Sequence, residues 1–488
     1  MKIELDNNMK IPLYRQITEQ IKEMIESGVL PDGYVMPSER SLAESLGVHR
    51  NTIIRVYAEL KAEDYIFSIQ RKKYVVNGLD ADSAEEGNKD FSWIRKMNGR
   101  YMSYAHRDKF STFFNIKREI SFTGDDGTEA YCQEDLSSLL HELSELEDDN
   151  KFVYSHRQGD YDLRKAFAKF MQEKGVNVKP RELMVVSETM QALNLLCDVL
   201  LQAGDTVIAE EPSYPGVYRV FQGHGIKLVT VGMDKEGILC DRLERLIVKH
   251  KPKLIYVNPD FHNPTGIVMS LERRKQLLSL AHRYNIPIVE EDSLSELRFQ
   301  GRPIPSLKSL DKHNSVIYLY SFCSTYASGI KLGFCIADPA LIKKLSEILV
   351  WNVICVDVIS QWLLTQYLQR GLYKKQLEQV RLDYEKKRDL VIEGMKPAER
   401  WGLHIWNTEG GRSLWCELAP DMDAGEICEM AKDRNVLFFP GEMFFLKASR
   451  EGKRYLRLAY DKNTEEEIQK GTEILNEVLK EYWEKKHL

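Results

Sequence analysis

Several features are missing from this chain of 488 residues, and each absence narrows what it can be. None of its eight cysteines (132, 197, 240, 323, 335, 355, 416, 428) belongs to a Cys-x-x-Cys pair, and no histidine–cysteine cluster has zinc spacing. A structural zinc site and a dithiol redox centre are disfavoured, and reduced thiols are expected. There is no long uncharged apolar run, and Met1-Lys2-Ile3-Glu4 does not open a signal peptide. A soluble, cytoplasmic protein with no membrane span is the expectation. Positive charge is not in excess. The formal net charge of -6 excludes binding of nucleic acid through overall charge and leaves room only for a local basic surface. With 43% hydrophobic residues and this length, a large core and two or more domains are expected.

The first eighty residues carry a clear local pattern. Ile17, Ile21 and Ile25 follow Pro12-Leu13-Tyr14 at helical spacing, and the pattern stops at Gly28. Ser38 is a suitable N-cap for a second helix with Leu42, Ala43 and Leu46 on its apolar face. Gly47 turns the chain. A third helix then opens with His49, Arg50, Asn51 and Thr52, with Ile53, Val56, Tyr57 and Leu60 inward. Two short helices joined at a glycine form a helix-turn-helix signal. Tyr65–Ile69 and Lys73–Val76 read as two short strands, and Arg71, Lys72 and Lys73 make a basic wing. His, Arg, Asn and Thr at a helix start offer donors and acceptors to base edges, and the wing offers three cations to phosphates.

The stretches P-L-Y-R-Q-I and L-P-D-G-Y-V-M-P-S-E-R-S-L-A-E-S-L-G-V-H-R-N-T-I resemble a GntR-type winged helix. The resemblance implies a double-stranded DNA operator as partner, contacted by Arg40 and by Arg50 to Thr52. Two positions depart from the family pattern. Asp64 replaces the glycine after the recognition helix, and Gln70 and Lys72 replace wing glycines.

Residues 78–117 change character. Asp80 to Gly87 is polar and acidic and reads as a linker, while Trp93, Tyr101, Tyr104 and Phe110 suggest packing in its second half. From 118 to 488, short β-branched runs alternate with helical patterns. Thr206–Ala209, Lys227–Thr230, Leu254–Val257, Pro287–Val289 and Val316–Tyr320 read as strands. Leu163–Lys174, Met190–Leu201 and Leu271–Tyr284 read as helices. That alternation predicts an α/β domain with a mostly parallel sheet and a ligand at the carboxyl ends of its strands. The fold expected is therefore multi-domain: a winged helix at 1–77, a linker, and an α/β domain at 118–488.

Several motifs of that domain resemble fold-type I aminotransferases, and with the winged helix the chain looks like a MocR-type regulator. Tyr154 to Gly159 is similar to a motif that reaches a second subunit's phosphate pocket, implying a homodimer. Ser187-Glu188-Thr189-Met190 is similar to the helix start that cradles the phosphate of pyridoxal phosphate (PLP), with Lys331 as a further phosphate contact and Ser321 as a further cofactor-binding residue. Tyr214 matches a ring-stacking aromatic, Asn263 the asparagine on the pyridine hydroxyl, and Glu291 the acid on the pyridine nitrogen. Arg457 matches the arginine that forks a substrate carboxylate. Read from the residues alone, Tyr214 as core, Arg457 as a structural ion-pair residue and Asn263-Pro264-Thr265-Gly266 as a plain turn stay open.

The departures are concentrated in one place. In Tyr320 to Gly333 the family's Schiff-base lysine is Ser324, whose hydroxyl cannot form an imine. Glu188 stands for the cradle's first glycine, where a carboxylate ~4 Å from a phosphate costs on the order of 4 kcal/mol. Glu188 also reads as the cap of that helix, taking the anion's role itself. Glu291 replaces a shorter acid, Ser293 a tyrosine, and Lys331 an arginine. The expectation is a regulator whose aminotransferase-like domain senses an amino acid, carboxylate or PLP-like effector without catalysis, any PLP being noncovalent. The alternatives are a working PLP-dependent aminotransferase and a structural dimeric repressor with no small-molecule ligand.

Overall fold

A computed structural model describes residues 3, 12–26, 30, 34–62, 65–69, 73–76, 120–124, 133–146, 153–447 and 450–487. The linker read at 78–117, and Asp64, Gln70, Arg71 and Lys72, lie outside them. The chain divides into two compact units, residues 1–108 and 109–488.

In the first unit three helices, Leu13–Glu26, Glu39–Leu46 and Arg50–Ala62, precede an antiparallel pair of strands, Ile66–Ile69 and Lys73–Val76. The expected caps are present. Ser38 accepts from the Ser41 amide at 3.1 Å, and Gly47 takes the left-handed conformation (φ 64°) that ends the second helix. Ile17, Ile21, Ile53, Val56, Tyr57 and Leu60 are fully buried, so the apolar stripes of the first and third helices meet in one core. Lys73 lies in the second strand rather than at the wing's tip.

The second unit is built on an eight-stranded sheet in the order Leu183–Val186, Gly333–Ile336, Val316–Ser321, Ile288–Asp292, Leu254–Val257, Thr206–Glu211, Lys227–Asp234 and Gly237–Ile238. The five strands from Val316–Ser321 to Lys227–Asp234 are parallel, and Gly333–Ile336 runs against both its neighbours. Val316–Ser321 and Leu254–Val257 are buried throughout, as parallel strands covered on both faces require. The expected strands and helices are present within a few residues of their predicted ends. Leu183–Val186 and Gly333–Ile336 are additional. So is a four-stranded antiparallel sheet of His404–Trp406, Ser413–Glu417, Tyr455–Ala459 and Phe439–Pro440, with its own core beside the helices Leu372–Met395 and Glu465–His487.

Candidate functional site

Strand geometry assembles the site. The parallel strands end together, so the loops after Glu211, Val257, Asp292 and Ser321 open at one edge of the sheet. Alternation along Ile288–Asp292 turns Glu291 into the opening, while Glu290 and Asp292 face away and are buried. The result is a cavity of about 550 Å³. It brings together Thr189, Met190, Tyr214, Asn263, Glu291, Ser321, Lys331 and Arg457 with Glu188, Ser293 and Ser324, residues spread over 270 positions of sequence.

A continuous chain of hydrogen bonds crosses this cavity. Arg457 Nη1 donates to Asn263 Oδ1 (2.8 Å), and the Asn263 amide donates to Asn258 Oδ1 (2.8 Å). Asn258 Nδ2 donates to the Glu291 carbonyl (2.9 Å), and its own amide donates to buried Glu210 (2.7 Å), which burial pushes up to about 8. The Glu291 carboxylate accepts from Thr189 Oγ1 (3.0 Å), Ser293 Oγ (3.1 Å) and the Tyr256 hydroxyl. Burial pushes Glu291 up to about 7, helped by the Glu188 and Asp292 charges and opposed by the Thr189 and Ser293 hydrogen bonds.

Glu188 closes the far end. It is the N-cap of the helix Thr189–Leu200, and its Oε2 accepts from the Thr189 amide (3.0 Å) and from Ser321 Oγ (3.3 Å). A fixed carboxylate therefore holds the helix N-terminus and a hydroxyl that would otherwise be open to an external anion. Burial first, then Glu188, pushes the neighbouring Cys323 thiol up. Lys331 lines the cavity from an exposed, left-handed position (φ 46°). Tyr214 has its place because Gly216 lacks a side chain: a Cβ there would lie 2.5 Å from the Tyr214 ring. Tyr154 does not line this cavity and is 75% exposed.

Ser324 meets a residue that no local signal announced. Arg412 Nη1 donates to Ser324 Oγ at 3.4 Å, and Arg412 Nε lies 3.2 Å from buried Asp461. Tyr256 was likewise hidden, as one apolar residue of a buried strand.

On the first unit, Arg40, His49, Arg50 and Asn51 are exposed at the start of the second and third helices, and Thr52 is half-buried. Arg50 Nη2 pairs with Glu39 (3.0 Å), and Arg40 pairs with Glu44 (2.9 Å). The face expected to meet DNA thus holds its guanidiniums in weak surface pairs. The Lys73 side chain, like Arg71 and Lys72, lies outside the described residues.

Helix-turn-helix, basic start of the third helix and sheet-edge cavity define a regulator joined to an aminotransferase-type domain. Comparison with known proteins agrees. The class I and II aminotransferase family matches residues 127–475, and the gntR family of bacterial regulatory proteins matches residues 13–76. The chain belongs to these families in the MocR-type arrangement of a GntR helix-turn-helix unit fused to an aminotransferase class I/II domain. It is 28% identical over 480 residues to the uncharacterized HTH-type transcriptional regulator YdfD of Bacillus subtilis, covering 97% of each chain. It is 27% identical over 452 residues to the regulatory protein MocR of Rhizobium meliloti, covering 92% of this chain and 90% of that one. Among solved structures, the alpha-aminoadipate aminotransferase LysN of Thermus thermophilus matches with a TM-score of 0.74 at 28% identity, over 80% of this chain and 99% of LysN.

Proposed function

We propose that this protein is a DNA-binding transcriptional regulator whose aminotransferase-like unit holds a small molecule without transforming it. The observation that carries this reading is at Ser324: a hydroxyl contacted by Arg412 stands where the family's lysine would be. Tyr214, Asn263 and Glu291, which would meet the ring of PLP, the family's cofactor, line the cavity. Those for its phosphate and its covalent attachment do not fit. Glu188 occupies the helix N-terminus and engages Ser321, and no amine is present at 324. Covalent PLP chemistry therefore has no anchor at this position.

The effector that suits the cavity carries a carboxylate, held by Arg457 from the strand Tyr455–Ala459. An amino acid, another carboxylate or a noncovalent PLP-like compound meets that requirement. The operator is double-stranded DNA, read by the start of the helix Arg50–Ala62 and by the wing. A homodimer is the working unit, since Tyr154 and Trp351 (87% exposed) offer large apolar side chains outside any core of one subunit. No helix among the described residues is long and apolar enough to cross a membrane.

The test is borohydride reduction of the full-length protein with PLP, followed by mass analysis of residues 320–333. No adduct is expected, and DNA mobility in a gel-shift titration is expected to respond to a carboxylate effector. A trapped adduct on Lys331, or transamination at an enzyme-like rate, would favour the alternative of a PLP-dependent aminotransferase carrying a DNA-binding domain.

A further inference from the structure

A second cavity of the aminotransferase-like unit, also about 550 Å³, has no role in this reading. It lies between the strand Lys227–Asp234 with the helix Cys240–His250 on one side and the small antiparallel sheet on the other. One wall is aromatic. Trp415 stacks on Tyr455 (centroids 5.2 Å apart, 17° between planes), Trp406 meets Tyr455 edge-on at 6.2 Å, and Phe445 stacks on it at 6.4 Å. The opposite wall carries Arg242 and Arg245, one turn apart on the helix. A Cβ on Gly232 would lie 3.9 Å from Arg242 Nη1, so this guanidinium reaches over the cavity floor.

The two arginines differ from their neighbours. Arg273 pairs with Asp234 (3.0 Å), and Arg283 pairs with Glu244 of the same helix (2.7 Å). Among the described residues no ion pair or hydrogen bond engages Arg242 or Arg245. Glu211, which also lines the cavity, accepts from Thr230 Oγ1 (2.9 Å) and from the Leu446 amide (3.0 Å), so its oxygens are held by neighbours other than the two arginines. Glu451 stands exposed at the rim, where solvent screens it. Two like charges side by side facing a concave aromatic wall are complementary to a flat ligand with an acidic group. The ring would stack on the aromatic face and the acid would take the guanidinium forks.

We propose that this cavity is a second ligand site, for a planar aromatic anion, distinct from the cavity at Ser324. Its ligand shares a wall with the first site. Glu211 and Pro212 line this cavity while Ser213 and Tyr214 line the other, and the Ser213 amide is tied to the Phe444 carbonyl (2.9 Å). The proposal does not depend on what the first cavity binds.

Calorimetric titration of the full-length protein with benzoate, phenyl phosphate, benzamide and benzylamine tests it. Saturable binding of benzoate or phenyl phosphate is expected, with no binding of the neutral or cationic compound. The tighter of the two anions identifies the acid as carboxylate or phosphate. The double variant Arg242→Gln/Arg245→Gln, both exposed and outside any core, is expected to weaken that binding roughly tenfold or more, and Arg457→Met to leave it unchanged. The proposal fails if neither anion saturates, if benzylamine binds as well as benzoate, if the double variant binds like the wild type, or if Arg457→Met removes the binding.

Discussion

At the scale of single residues, the proposed loss of the family's cofactor chemistry rests on Glu188 and Ser324. Ser324→Lys restores the amine but leaves the carboxylate on the phosphate's helix end, so little PLP should be trapped by borohydride. Ser324→Lys with Glu188→Gly should trap distinctly more than either change alone, because on the order of 4 kcal/mol of repulsion per charge pair is removed. Equal trapping by the single and double variants would rule out the electrostatic role of Glu188. Glu291 makes a separate prediction. Its folded pKa of about 7 lies above the ordinary carboxylate value of 4.5, so the proton it binds stabilises the fold at low pH. That stabilisation is complete below about 4.5 and is lost as pH rises through about 7. Glu291→Gln cannot ionise. Its stability relative to the wild type should therefore grow over that window, by on the order of 3 kcal/mol, in thermal melts taken at successive pH values.

At the scale of elements, the helix Arg50–Ala62 is the proposed reader of the operator. Its exposed start and its buried stripe of Ile53, Val56, Tyr57 and Leu60 follow from one periodicity, and the same residues that bury it aim Arg50 and Asn51 outward. If Arg50 reads a base, Arg50→Ala should weaken specific operator binding by about 1–3 kcal/mol in gel-shift titrations. Unchanged affinity would remove this helix as the reader. Replacing Arg71, Lys72 and Lys73 with neutral residues should act differently, lowering the salt dependence of binding while changing sequence preference little.

At the scale of the whole molecule, the proposed homodimer has a measurable consequence. Trp351 and Tyr154 are exposed as no isolated subunit requires. Sedimentation at micromolar concentration should show a dimer, and Trp351→Asp with Tyr154→Asp should weaken the association roughly tenfold or more, since buried aromatic anchors dominate such interfaces. A wild-type protein that sediments as a monomer would remove the dimer from the proposed function.

Much of this protein was determined by sequence alone, wherever the information is local. The Ser38 cap, the Gly47 turn, the buried faces of the first and third helices and the central parallel strands each depend on residues within a few positions of one another. The motifs around Thr189, Asn263, Glu291 and Ser321 were legible for the same reason, and one cavity gathers them. Tertiary structure decided what depends on distant pairs. The sequence left Glu188 open as a misplaced phosphate contact or a cap. The fold makes it a cap and adds Ser321, 133 positions away. Arg412 lies 88 positions from Ser324, and Arg457 lies 194 from Asn263, so no periodicity relates them. The small antiparallel sheet escaped notice because its strands lack the β-branched runs that marked the central ones: Ser413–Glu417 and Tyr455–Ala459 contain no Val, Ile or Thr. That sheet supplies Trp406, Trp415 and Tyr455, so the second cavity exists only once the chain has folded across it.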